Sequence, residues 1–102
     1  MAGALAEAAR LLPSRARVRY NLALALTRLG RDADADRALL EAGEIDPLDP
    51  DILYATAFRF AERGQWEEAL PAALRLAQIR PGDPDARGLL GRIRSGLKPG
   101  AP

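Results

Sequence analysis

The chain has 102 residues, enough for one small domain, and its 48% hydrophobic and 28% charged residues are typical of a folded globular protein. It contains no cysteine and no histidine, which excludes disulfides, Cys/His metal sites, thiol nucleophiles and imidazole bases. The formal charge of +1 argues against a partner held mainly by electrostatics, such as duplex DNA. No apolar run could cross a bilayer, and the start lacks the pattern of a secretory signal. The compartment stays open, with the cytoplasm slightly favoured.

A strong residue bias favours an all-α fold. Alanine occurs 21 times and arginine 14 times, whereas β-branched and aromatic residues are few. Alanine and arginine are among the best helix formers, so helices are expected along most of the chain. The same bias is typical of GC-rich bacterial genes.

Apolar residues recur at steps of three and four along the chain, which predicts amphipathic helices. Gly30 and Gly64 end two of these stretches, since glycine readily adopts the positive φ of a helix end. Pro47 and Pro81 end two others, because proline cannot continue a helix. The tail over 97–102 has no pattern and is expected to be frayed or a linker. In chain order, the six expected helices cover 2–12, 16–29, 32–45, 51–63, 66–80 and 85–95.

The fifth expected helix contains a proline beyond its first turn. Pro71 lies five residues after Trp66, whereas proline fits without loss only in a first turn. We therefore expect one of two outcomes. Either the helix begins later than Trp66, or the hydrogen bond to the carbonyl of Glu67 is missing and the helix bends there.

A period of 34 residues organises these elements. Pro13, Pro47 and Pro81 are each 34 residues apart. The same shift relates several further pairs: Tyr20 and Tyr54, Gly30 and Gly64, Ala35 and Ala69, and Ile45 and Ile79. So many matches in one register indicate a repeat protein whose unit is helix, glycine turn, helix, proline turn.

This 34-residue unit resembles the tetratricopeptide repeat. Ala23 and Ala57 occupy the small position of the first helix, and Ala35 and Ala69 that of the second. The sequence departs from the family at positions where tryptophan is typical: Arg19, Leu53 and Arg87. The resemblance implies an all-α, right-handed α–α superhelix, a solenoid of antiparallel helix pairs with about six helices. It implies one domain over 1–96, made of a half-repeat helix 1–15, repeats 16–49 and 50–83, and a capping helix 84–96.

The capping contacts of such an array can also be predicted. A repeat buries its apolar face only against neighbouring repeats, so the terminal helices have to cover the ends. We expect the apolar residues of the two terminal helices to make these contacts: Leu5, Leu11, Leu89, Leu90 and Ile93.

No motif predicts a metal, a cofactor or catalysis. Three aspartates have the first ligand spacings of a calcium loop: Asp32, Asp34 and Asp36. Arg37 stands where that loop needs glycine, and Gly43 where it needs glutamate, so the aspartates are expected to surround a helix N-terminus. No glycine-rich phosphate loop is present. The sequence predicts a protein that is not an enzyme and needs no cofactor.

Charge is distributed unevenly along the first half of the chain. Residues 8–31 carry six arginines and no acid, whereas residues 32–51 carry eight acids and one arginine. The preferred interpretation is that neighbouring helices neutralise each other. The alternative makes Arg15, Arg17 and Arg19 a basic edge for an acidic peptide or RNA, but no interleaved aromatic residues support it.

The resemblance also implies a binding surface, because in this family the first helix of each repeat lines the concave face. Tyr20, Leu24, Tyr54 and Phe58 recur at steps of four and are predicted to form an aromatic stripe there, unless they pack as core. The candidate groove residues are Arg17, Tyr20, Asn21, Leu24, Arg28, Asp51, Tyr54, Ala55, Phe58, Glu62, Asp85, Gly88, Leu89 and Arg92. Asp51 and Ala55 stand where a chaperone-tail clamp needs basic residues, so that ligand is not expected.

The sequence therefore predicts a protein-interaction module that binds a peptide or partner helix in this groove. The alternative is a structural or self-associating repeat segment of a larger protein that has no separate ligand. Exposed terminal half-repeats are the surfaces through which such a segment could self-associate. Neither nucleic acid nor membrane insertion is expected.

Overall fold

A computed structural model of the chain describes residues 14–98. Within this range the fold is all-α, as predicted, with five helices and no strand. The helix predicted over 2–12 lies outside the described residues. The five helices are α1 (Ser14–Arg28), α2 (Asp32–Ile45), α3 (Pro50–Glu62), α4 (Trp66–Ile79) and α5 (Pro84–Leu97).

One glycine turn joins α1 to α2 and another joins α3 to α4, as the sequence predicts. Gly30 follows α1 with φ +76° and Gly64 follows α3 with φ +71°, a left-handed conformation that suits glycine. After each glycine, a backbone N–H bonds back over five residues to close the helix end. Arg31 N–H donates to the Leu26 carbonyl and Gln65 N–H to the Phe60 carbonyl, both at 2.9 Å.

The chain divides into two compact units, of which unit 1 ends at Ile52 and unit 2 begins at Leu53. α3 starts in unit 1 and continues into unit 2. α1 packs against α2 in unit 1, and α4 packs against α5 in unit 2. Consecutive helices therefore form packed pairs, which is what short connections between antiparallel neighbours produce.

The core of unit 1 consists mainly of alanine. Small side chains at helix contacts allow close approach of the helix axes, so little volume has to be filled between them. Ile52 is the largest fully buried side chain of this unit, and its Cγ2 lies 3.9 Å from the position that a Cβ on Gly43 would occupy. The other buried residues are Ala16, Ala23, Ala35, Ala38, Leu39 and Ala42.

The core of unit 2 joins its three helices. α3 and α4 contribute alanines, and the larger apolar residues come from α5, so the last helix fills the space that the alanines leave. The cluster contains Ala57, Ala61, Ala69, Ala73, Leu89, Leu90 and Ile93. The predicted capping residues of the last helix are thus buried, whereas Leu5 and Leu11 lie outside the described residues.

Trp66 packs directly on the backbone of α5 at Gly96. A Cβ added to Gly96 would collide with the Cδ2 and Cε2 atoms of the indole ring. The same ring packs against the core cluster of unit 2. Glycine is therefore required at position 96 by close approach of the ring.

Gly96→Ala should lower the free energy of unfolding of unit 2. The new methyl group must displace the Trp66 ring, which costs about 1–3 kcal/mol, and the helix propensity of alanine offsets only about 1 kcal/mol of this. Gly91→Ala is the matched control on α5, since no atom lies within 4 Å of its added Cβ, and it should be stabilising. Thermal denaturation of both variants measures the difference. Equal stabilisation by the two alanines would contradict this packing.

Pro71 lies inside α4, not before it. The helix begins at Trp66, with Ala69 N–H donating to the Gln65 carbonyl at 3.1 Å, which excludes the first of the two expected outcomes, a later start. Pro71 is the sixth residue of the helix and has no N–H to offer the Glu67 carbonyl. The helix nevertheless continues to Ile79.

Candidate functional site

Unit 2 contains a shallow cleft between α3 and α5, with a volume of about 250 Å³. Its lining combines aromatic, small and charged residues: Tyr54, Phe58, Pro84, Asp85, Gly88, Leu89 and Arg92. The structure therefore brings together six of the candidate groove residues in one unit. The seventh lining residue, Pro84, was not among the candidates, although the Asp-Pro start of a helix marks its position.

Two stacked aromatic rings form the α3 side of the cleft. The Tyr54 and Phe58 ring centroids are 6.0 Å apart and the rings are inclined by 16°. Tyr54 is 36% exposed and Phe58 40% exposed, so neither ring belongs to the buried core. Stacked rings that stay accessible provide a large apolar contact area with few freely rotating bonds.

The α5 side of the cleft is formed by a glycine beside a buried leucine. Apart from its two chain neighbours and the backbone of its own helix, no atom lies within 4 Å of the Cβ that a larger residue would have at Gly88. The neighbouring Leu89 is only 5% exposed and belongs to the core cluster of unit 2. The cleft is thus open above Gly88, and through Leu89 this wall rests on the core of unit 2.

Charged groups stand at the two ends of the cleft. Arg92 Nη1 lies 3.0 Å from Glu62 Oε2, and its guanidinium carbon is 5.9 Å from the centroid of the Trp66 ring. At the other end, Asp85 lies in the first turn of α5, where its backbone N–H donates to Asp83 Oδ1 at 2.9 Å. The helix dipole favours negative charge at that end.

The candidate residues of unit 1 form a separate cluster around Arg17. Arg17 Nη2 lies 3.2 Å from Asp49 Oδ2 and 3.2 Å from Asp51 Oδ2, and the guanidinium lies 4.9 Å from the Tyr20 ring centroid. Asp49, which sequence reasoning missed, also accepts the Asp51 N–H through Oδ1 at 2.9 Å and caps α3. The charge of Arg17 is thus compensated within unit 1 by the carboxylates of Asp49 and Asp51.

The remaining candidates are distributed along the first helices without joining either cluster. Asn21, Leu24 and Arg28 lie exposed on α1, and Ala55 is half-buried on α3. Asn21 and Leu24 therefore stay as sequence-based predictions on an accessible helix face.

Ion pairs join the basic and acidic stretches within unit 1. Arg19 Nε lies 3.8 Å from Glu41 Oε1, in addition to the pairs that Arg17 makes with Asp49 and Asp51. Two of the three arginines of the basic-edge alternative are thus paired with acids. This arrangement supports the interpretation that neighbouring helices neutralise each other.

No protein-family model matches the chain, and no curated protein is significantly similar to it. Among the helices of residues 14–98, none combines the length and the apolar character needed to span a membrane. In the same part of the chain, acidic side chains do not come together in a group that could hold a metal ion. The function therefore has to be inferred from the cleft and its lining.

Proposed function

We propose that this protein is a tetratricopeptide-like interaction module and that the cleft of unit 2 is a contact site for a peptide or partner helix. The observation that carries the proposal is the exposed, stacked pair Tyr54–Phe58 facing an unfilled position at Gly88. We propose binding without catalysis, since the sequence has neither histidine nor cysteine.

The repeat class of the proposal is supported by matching local geometry 34 residues apart. The hydrogen bonds after the two glycine turns are the same, as described above. The caps of the next helices also match, because Asp49 Oδ1 accepts from Asp51 N–H and Asp83 Oδ1 from Asp85 N–H, both at 2.9 Å. Equivalent residues thus make equivalent turns, which is the property expected of structural repeats.

The binding role is supported by two properties of the cleft: the apolar area that its aromatic rings offer, and the fact that these rings are already ordered. Each aromatic side chain can bury about 150–250 Å² in a contact, at small cost in conformational entropy. Truncation of an anchor of this type typically weakens binding by about 1–3 kcal/mol. The ring stack of Tyr54 and Phe58 is already formed, so a ligand would not have to order it.

Filling the cleft should abolish binding and leave the fold intact. In Gly88→Gln the new side chain occupies the open space above α5, and helix propensity should raise the stability by up to about 1 kcal/mol. Peptides are first selected from a random library on the wild-type chain. Titration calorimetry then measures their affinity for each variant, and we expect a loss of about tenfold or more in Gly88→Gln.

Gly91→Gln is the matched control, since it lies on the same helix, faces open space and does not line the cleft. It should keep wild-type affinity. A Tyr54→Ala, Phe58→Ala double variant should lose the peptides while staying folded. If no peptide is selected, or if Gly88→Gln binds as well as wild type, the proposal fails. Concentration-dependent light scattering by the wild-type chain in that case would favour the self-associating alternative.

A further inference from the structure

The charges around the cleft of unit 2 do not balance. Arg92 is paired with Glu62 at 3.0 Å, so its positive charge is largely compensated. Asp85 also lines the cleft, and within residues 14–98 no hydrogen bond or ion pair occupies its carboxylate. The three groups together carry one net negative charge, located at the first turn of α5.

We infer that the cleft recognises a peptide with an apolar side chain and a lysine or arginine two residues away from it, the basic group pairing with Asp85. The inference rests on the proposed binding function and names the chemistry of the ligand. The apolar side chain would lie between Phe58 and Gly88, and the basic side chain would reach one helical turn toward the N-terminus of α5.

The spacing of two residues follows from the dimensions of the two chains. Asp85 and Gly88 are three residues apart on α5 and lie on one helix face, about 4.5 Å apart along the axis at about 1.5 Å per residue. In an extended peptide, side chains on one face are two residues apart, which is about 6.6 Å. An apolar residue over Gly88 therefore places the second residue on the same face close to Asp85.

The test uses N-acetylated, C-amidated heptapeptides that differ in one charge, Gly-Ser-Lys-Ser-Phe-Ser-Gly and Gly-Ser-Glu-Ser-Phe-Ser-Gly, together with the versions in reverse order. NMR chemical-shift titration measures their dissociation constants at low and high salt. Of the two lysine peptides, one in each residue order, we take the one that binds more tightly. We expect it to bind about fivefold more strongly than the glutamate peptide of the same order, and this ratio of dissociation constants should fall as salt rises.

Asp85→Asn should reduce this ratio to about one, because it removes the charge and keeps the size of the side chain. Glu67→Gln is the matched control, since it removes a carboxylate from the first turn of α4, away from the cleft, and should keep the wild-type ratio. Equal binding of both peptides by wild type, or a ratio unchanged in Asp85→Asn, overturns the inference alone. Absence of binding by all of these heptapeptides also overturns the inference, whereas failure of the random-library selection overturns the proposed function.

Discussion

Leu76→Ala should be severely destabilising, although it changes a single leucine in an alanine-rich protein. The Leu76 side chain is only 2% exposed, and it is one of the largest fully buried side chains described. Truncation of a buried leucine to alanine costs about 2–5 kcal/mol, because transfer free energy is lost and a cavity remains. A small domain has only about 5–15 kcal/mol of stability, so unit 2 should melt roughly 10 °C lower or more.

Leu74→Ala is the matched control for this experiment. It makes the same change two residues earlier in α4, where the leucine is 37% exposed. Its cost should stay below about 1 kcal/mol, as for most surface substitutions. Far-UV circular dichroism during thermal denaturation measures both variants. Similar melting temperatures for the two would show that Leu76 is not buried in solution.

Pro71→Ala should stabilise the protein by about 2 kcal/mol. Inside a helix, proline removes one hydrogen bond and its ring clashes with a carbonyl four residues earlier, at a cost of about 3 kcal/mol. Part of the gain is lost, because alanine leaves the unfolded chain freer by up to about 1 kcal/mol. The restored N–H of residue 71 would donate to the Glu67 carbonyl. Chemical denaturation compared with wild type measures the gain.

Pro84→Ala is the matched control, because it shows whether removal of any proline stabilises the protein or only removal of the proline inside a helix. Pro84 lies at the start of α5, where the missing N–H has no helical partner and the fixed φ suits the helix. This variant should lose up to about 1 kcal/mol through the unfolded state. If Pro71→Ala does not raise the free energy of unfolding, α4 accommodates the proline at little cost and the prediction is wrong.

The limits of sequence reasoning about the fold are visible in α4. The turns at Gly30 and Gly64 could be predicted, because the chemistry of a helix end is local to a few residues. For α4 the sequence left open whether the expected helix begins at Trp66 or later, because two principles compete there. Local propensity disfavours a helix through Pro71, whereas buried residues on either side of the proline favour one. Ala69 and Ala73 belong to the same core, so packing of the whole helix outweighs the local penalty.

For the candidate site, too, some features could be predicted from the sequence and others could not. Periodicity places Tyr54 and Phe58 on one helix face, since steps of four align side chains on any helix. Pairing between distant residues leaves no such trace in the sequence. The contact of Arg17 with Asp49 spans 32 residues, and its contact with Asp51 spans 34. These pairs depend on how α1 and α3 approach, which repeat spacing alone does not determine.

The position of Trp66 has a consequence for how this protein can be studied. It is the one tryptophan in the sequence, and it lies in unit 2 against Gly96 and close to Arg92. Intrinsic indole fluorescence therefore reports on unit 2 and is silent about unit 1, while circular dichroism detects helices in both. Comparing the two signals during unfolding distinguishes one cooperative transition from two separate ones, without any label or substitution.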